Sequence, residues 1–474
     1  MQKTNLLKKL LYVIILIFGD FAAFSLSFAL AFYTRKYIGY LFLLPKFIVY
    51  GYLSKLFWLP LVYFFFFSIE GLYTKKVHFW YELKILFKAI FIAFIVCLSI
   101  VSIGKLTDFV SRLFLFFLLF YSLIVFPIFR VALKNLLFFL GISREKVLLI
   151  GISPTSVKFA QSFNNNKYLC LDIVGFVNKT KEHINGFKTI SPLTHAKKIT
   201  KALGIDIIII DENALSEEEV SKLFKELQAL VKRIILIPKM SFIFLLNSQV
   251  NYLFVEKIFV LSVNNNLKSF LNRFLKRIFD LCISIILLPF LIIIILIISV
   301  AIKLDSKGSV FYVSKRLGQN GKLFNFLKFR TMYKDNDRLL KEYLSKNKEA
   351  RLEWEKYQKL KNFDPRVTRI GRFLRKTSLD ELPQIINVLF GQMSLVGPRP
   401  YLPQELEKIG DSINTILLAK PGITGLWQVS GRNELDFQTR VDLDCFYVTN
   451  WSLWFDIVIL LKTIYAVLKQ KGAY

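Results

Sequence analysis

The chain has 474 residues, 54% of them hydrophobic and 16% aromatic, with 48 phenylalanines gathered largely in long uninterrupted runs. Such usage lies well above that of soluble proteins. The formal net charge of +30 sits mostly beside those runs, a placement that suits anionic lipid headgroups and a phosphate-bearing substrate and argues against nucleic acid. Cys97, Cys170, Cys282 and Cys445 contain no CxxC pair, and His78, His183 and His195 make no motif, so a disulfide framework, a thiolate or histidine metal site and a His-based triad all lack support.

Four apolar stretches, about 10–33, 50–71, 86–104 and 109–130, have the length of membrane-crossing helices. Lys3, Lys8 and Lys9 favour a cytoplasmic start. Lys75 and Lys76 mark a cytoplasmic second loop, and Arg130, Lys134, Arg144 and Lys146 mark the return to that side. The first run is too long for a cleavable signal peptide and lacks a small-residue cleavage site. Asp20 lies inside it with no partner close in sequence, and a structural or interfacial role is expected.

Past 140 the pattern changes to short apolar strands alternating with helical stretches. Lys146–Gly151, Leu171–Val177, Ile205–Asp211 and Arg233–Pro238 read as buried parallel strands, and 215–231 as a helix, giving a doubly wound α/β domain over 143–262. Its first turn, Gly151 to Ser156, stands where a dinucleotide fingerprint would stand but lacks the second and third glycines. A degenerate nucleotide site is the expectation, ahead of a working one.

Residues 281–302 form a fifth apolar run with Arg273, Lys276 and Arg277 before it and Lys303, Lys307, Lys315 and Arg316 after it. Positive charge at both ends conflicts with a simple crossing. Pro289 removes a backbone hydrogen bond in mid-run and is expected to break the helix. A re-entrant helix, entering and leaving by one face, reconciles these features; an ordinary fifth span is the alternative.

The remainder is more polar. The charged insert 334–361 reads as a solvated helix. In Arg375-Lys376-Thr377-Ser378-Leu379-Asp380-Glu381, Ser378 and Glu381 have capping-box spacing, and Pro383 is tolerated near a helix start. A helix beginning at 378–380 would place Asp380 and Glu381 in its first turn, where the macrodipole favours anions. Asp380 could then attack phosphorus, Glu381 could hold a divalent cation, and nearby cations could neutralise phosphate oxygens. Arg399, between Pro398 and Pro400, suits a bidentate contact with phosphate. Asp444 is a third carboxylate that either assists the metal or serves structure. Trp451 and Trp454 open an apolar C-terminal helix suited to headgroup anchoring.

Seven motifs in order over 268–474 carry a resemblance. They are Lys276–Asp280, Lys328–Met332, Asp364–Thr368, Ser378–Gln384, Val396–Pro400, Lys420–Arg432 and Gly472–Tyr474. The segment resembles the monotopic phosphoglycosyl transferases, bacterial polyprenyl-phosphate sugar-1-phosphate transferases, and the preceding architecture resembles their larger subgroup.

The resemblance implies a multi-domain membrane protein. An α-helical transmembrane bundle (1–140) is followed by a Rossmann-like α/β domain (143–262) and an α/β catalytic domain with a re-entrant membrane helix (268–474). It further implies transfer of a sugar-1-phosphate from a UDP-sugar to undecaprenyl phosphate, with Asp380 as nucleophile, release of UMP and Glu381 on Mg²⁺. Arg375, Lys328, Arg330, Arg399 and Arg432 would contact phosphates or support the site, with Lys276 and Arg277 beside the lipid phosphate. The setting would be the cytoplasmic face of the inner membrane, early in O-antigen, capsule or exopolysaccharide assembly and upstream of further glycosyltransferases. That subgroup leans towards homodimers. The family often has a Ser-Pro pair in the re-entrant helix; Leu288-Pro289 lacks the hydroxyl.

A nucleotide-sugar sensor acting through 143–262 is a second reading, weakened by the intact Asp-Glu pair. A dehydratase or epimerase is disfavoured, because the domain lacks a Tyr-x-x-x-Lys dyad.

Overall fold

The computed structural model describes residues 2–42, 56–104, 110–142, 144–164, 168, 171–178, 189–239, 248–253, 258–263, 266–347, 349–351, 354, 360, 363–431 and 435–468. It divides into two compact units, 1–240 and 241–474.

The first unit opens with four apolar helices: α1 (Gln2–Leu41), α2 (Trp58–Ile69), α3 (Phe79–Ile103) and α4 (Arg112–Phe139). Of these, α1, α3 and α4 are long and apolar enough to cross a membrane, while α2 has 12 residues. Long α1 packs along α4, and α2 and α4 pack against α3. Aromatic rings fill the seam, with Phe67 edge-on to Phe126 at 5.1 Å.

Inside this bundle the chain buries a network of charges. Arg130 pairs with Asp20 at 2.5 Å and with Glu82 at 3.0 Å, and donates to the Leu72 carbonyl at 3.2 Å. Lys134 pairs with Glu82 as well. Arg130 and Lys134, expected to follow the fourth apolar run, lie instead within α4. Both are about 1% exposed, because α1 and α3 each supply a carboxylate at their level. Asp20 is structural, and its partner lies 110 positions away.

A five-stranded parallel sheet follows, in the order β3-β2-β1-β4-β5: β1 (Glu145–Ile150), β2 (Leu171–Asn178), β3 (Thr189–Pro192), β4 (Ile207–Asp211) and β5 (Arg233–Ile237). Helices α5 (Pro154–Asn164), α6 (Ala196–Leu203) and α7 (Glu217–Leu227) connect the strands. Central β1 and β4 are buried on both faces, which is why they read as unbroken apolar runs. After β1 the chain turns at Gly151 (φ +91). There Ser153 Oγ accepts from the N–H groups of Thr155 and Ser156 and donates to the buried Asp211 carboxylate. The donors that would cradle a pyrophosphate are thus already satisfied within the chain.

In the second unit, β6 (Ser248–Leu253) and β7 (Ile258–Val263) form an antiparallel pair. The break expected at Pro289 is corrected: helix α8 (Phe270–Asp305) runs 36 residues and continues through it, as helices in apolar surroundings can. Its middle exposes Ile286, Phe290, Ile293 and Leu296, an apolar surface of the kind that faces lipid. Both of its ends are fastened to the polar body that follows. Near the start, Lys276 pairs with Asp456 at 2.6 Å, Arg277 donates to the Val388 and Leu389 carbonyls, and Asp280 accepts from Ser394. At the finish, Asp305 accepts from the Ile370 N–H, and Arg330 donates to the carbonyls of Ser306 and Lys307.

Antiparallel β8 (Phe311–Leu317) and β9 (Leu323–Phe329), and a short parallel pair, Ser394–Val396 with Gly422–Thr424, frame the rest. Its core gathers Val388, Met393, Val396, Tyr447, Trp451 and Ile459. The close approach of the parallel pair requires glycine: a Cβ on Gly397 would stand 2.3 Å from the Lys420 carbonyl oxygen.

Candidate active site

The helix Arg369–Thr377 starts on Thr368, whose Oγ1 accepts from the Gly371 N–H, and stops at Ser378, a non-glycine residue at φ 57. One 3-10 turn, Leu379–Glu381, leads past Pro383 into the helix Gln384–Leu389. The expected helix start at 378–380 is therefore corrected. Ser378 makes no side-chain cap, and the left-handed residue ends one helix in place of starting another. Asp380 and Glu381 sit in the link between two helices, and side chains from elsewhere must supply what the macrodipole was expected to provide.

They come from β9 and from the preceding helix. Lys328 stands 2.6 Å from Glu381 and 3.6 Å from Asp380. Arg375 is oriented by the hydroxyl of Thr331 at 3.0 Å. Burial pushes the Asp380 carboxyl above the ordinary range and Glu381 adds to that, while Lys328 and Arg375 pull it back. Glu381 keeps Oε2 outside its pairing with Lys328.

These four side chains line one cavity of about 970 Å³. Leu287 and Leu291 of α8, on either side of Pro289, line it too, so charged groups and a lipid-facing helix share one space. Trp427 and Gln428 complete another part of the wall.

Other residues singled out from sequence lie elsewhere. Arg330 touches the cavity, but two of its nitrogens hold the end of α8. Lys276 is buried against Asp456 and the Val396 carbonyl, and Arg277 holds the end of the helix Gln384–Leu389. Arg399 reaches Glu405 at 3.4 Å and stands 5.9 Å from the Trp427 ring. Asp444 lies fully buried beneath Arg399, accepting from its N–H at 3.1 Å and from the Tyr401 hydroxyl at 2.8 Å. Burial raises Asp444 to about 7. Among the described residues no three His, Cys, Asp or Glu side chains converge. Arg432 and Gly472–Tyr474 lie outside the described residues. Sequence reading gave no role to Thr331, Glu405 or Asp456: Thr331 meets Arg375 44 positions on and Asp456 meets Lys276 180 positions back, while Glu405 lies only six positions from Arg399 but in no motif.

An acid pair held by basic side chains and opening toward a lipid-facing helix is the layout of an enzyme that handles anionic substrates at a membrane. The family model described as bacterial sugar transferase matches residues 271–470. The chain is 38% identical over 408 residues to an undecaprenyl-phosphate galactose phosphotransferase of Salmonella typhimurium, covering 85% of this chain and 84% of that protein. It is 32% identical over 343 residues to the UDP-glucose:undecaprenyl-phosphate glucose-1-phosphate transferase of Escherichia coli, 70% of each chain. Against the exopolysaccharide production protein ExoY of Rhizobium meliloti it is 49% identical over 200 residues, which is 42% of this chain and 88% of that one. This chain belongs to the bacterial sugar transferase family.

Proposed function

We propose that this protein transfers a sugar-1-phosphate from a UDP-sugar to undecaprenyl phosphate, an early membrane step of surface-polysaccharide assembly. The carrying observation is the convergence of Asp380, Glu381, Lys328 and Arg375 in a cavity that α8 also lines. In the first step an Asp380 oxygen attacks the β-phosphorus of the donor. The bond from that phosphorus to the bridging oxygen breaks, and UMP leaves. In the second step a phosphate oxygen of undecaprenyl phosphate attacks the same phosphorus, freeing Asp380 and forming the lipid diphosphate sugar.

Lys328 and Arg375 offset charge on the phosphoryl oxygens. Glu381, with its spare oxygen in the cavity, fits a Mg²⁺ held by one or two carboxylates plus substrate phosphate, and the ion would supply charge neutralisation there. The re-entrant reading of α8 is supported by its anchoring: a spanning helix puts its ends on opposite sides of a core about 30 Å thick, whereas both ends of α8 bond to one polar body. A catalytic body on the cytoplasmic side agrees with basic residues at both ends of α8.

Membranes given radiolabelled UDP-sugar and polyprenyl phosphate should release UMP, and Asp380→Asn should abolish release. Full turnover by the Asn variant would overturn the nucleophile assignment. Running UDP-galactose, UDP-glucose and their N-acetylated relatives in parallel shows which of them serves as donor.

A further inference from the structure

Near the start of α8 a second group of cations gathers, apart from the cavity. Arg277 donates through Nη1 and Nη2 to the Val388 and Leu389 carbonyls, at 2.6 and 2.8 Å. Lys420 reaches the same place from the turn before the Gly422–Thr424 strand. A Cβ built on Gly391 would stand 3.3 Å from Arg277 Nη2 and 3.5 Å from Lys420 Nζ. Both cations therefore border one small hollow that a side chain at 391 would fill.

Among the described residues neither cation is paired with a carboxylate. Asp280 favours the charged form of Lys420 but spends its oxygens on the Ser394 hydroxyl and the Leu395 N–H, at 2.7 and 3.2 Å. Asp456 is taken by Lys276. Burial, and then the neighbouring Arg277, push the Lys420 ammonium below the ordinary lysine range. Apolar surface adjoins these charges. Phe390, next to Gly391, is 79% exposed, and the first turns of α8 leave Phe270, Leu271, Phe274 and Ile278 uncovered. None of these residues lines the cavity that holds Asp380 and Glu381. Unanswered cations at the head of a lipid-facing helix call for a ligand with an anionic head and apolar tails.

We propose that Arg277 and Lys420 bind the headgroup of an anionic phospholipid of the host membrane, whose acyl chains lie along the exposed apolar residues of α8. The phosphodiester accepts from the Lys420 ammonium and from guanidinium N–H groups that the Val388 and Leu389 carbonyls leave over. Such a lipid ties α8 to the segment that carries Lys420, and so stabilises the folded protein without entering the reaction.

The test uses the full-length protein in a neutral detergent, with thermal unfolding and native mass spectrometry as readouts. Dioleoyl phosphatidylglycerol should raise the melting temperature as its concentration rises, and dioleoyl phosphatidylcholine should do so far less. Lys420→Gln should weaken phosphatidylglycerol binding about fivefold, the loss expected for one basic residue at an anionic headgroup, and Lys420→Arg should retain it. Inorganic phosphate should leave the melting temperature unchanged, and a short-chain polyprenyl phosphate should not displace the bound phosphatidylglycerol. Equal stabilisation by the two phospholipids, or undiminished binding in Lys420→Gln, would overturn the site. Stabilisation by inorganic phosphate would make it a free-phosphate site, and displacement by polyprenyl phosphate would give it to the acceptor; either result sinks the proposal. Both readouts report binding, so they decide this site whether or not the protein releases UMP.

Discussion

The Lys328 ammonium lies 3.6 Å from the Asp380 carboxylate and is the strongest charge opposing the protonation that burial favours there. Replacing it with Gln removes that opposition, so the Asp380 carboxyl should move further up. The acidic limb of the kcat/KM profile should shift to higher pH, and activity above it should fall by about 10²-fold, as when one electrostatic stabiliser is deleted. A pH–rate profile of Lys328→Gln against wild type checks both. An unmoved acidic limb would separate Lys328 from Asp380.

Asp444 should make stability depend on pH. Its folded-state value, about 7, lies above the ordinary carboxylate range, so between about 4 and 7 the folded state binds more protons than the unfolded one. Its contribution is complete below that window and is lost as pH rises through it. Thermal unfolding in detergent should show a melting temperature that declines from pH 5 to pH 8, with a shallower decline in Asp444→Asn. Asparagine can still accept from the Arg399 N–H and the Tyr401 hydroxyl, so activity near pH 6 should be largely retained.

Arg130→Leu would strand Asp20 and Glu82 inside the bundle. Breaking a buried pair from one side costs about 3–5 kcal/mol, and Lys134 remains to answer only Glu82. The variant should unfold at markedly lower temperature, and adding Asp20→Asn should restore part of the loss. A double change no better than the single one would show that Asp20 and Arg130 are not coupled.

Gly397→Ala tests the parallel pair that carries Pro398–Pro400. The added methyl would meet the backbone of Lys420 and could not be relieved by a rotamer change. A cost of about 3 kcal/mol or more, beyond ordinary overpacking, is expected. Activity should fall with it, because Arg399 follows two residues later.

Local pattern carried much of the architecture. The apolar runs of α1, α3 and α4 and the buried strands β1, β2, β4 and β5 are written in consecutive residues, so their periodicity is visible without a structure. Strand β3 has only four residues and no such run. The Asp-Glu pair was conspicuous because a proline and several cations surround it, but its backbone was misread. The spacing of Ser378 and Glu381 matches a capping box, whereas Ser378 is left-handed and closes the preceding helix. Side-chain partners were the hidden part. Lys276 finds Asp456 180 positions on, and Arg375 finds Thr331 44 positions back. Only folding brings such groups together, and it turned residues expected to face phosphates into fasteners of helices.

If α8 is re-entrant as proposed, fastening it at its beginning and at its finish would also separate the enzyme from the thickness of its host bilayer. A crossing helix answers a thicker or thinner hydrocarbon layer by changing its tilt. For α8 a change of tilt would break either the Lys276–Asp456 pair or the Arg330 contacts with Ser306 and Lys307. On the re-entrant reading, surrounding acyl chains would do the adjusting, and activity should change little from one lipid composition to the next.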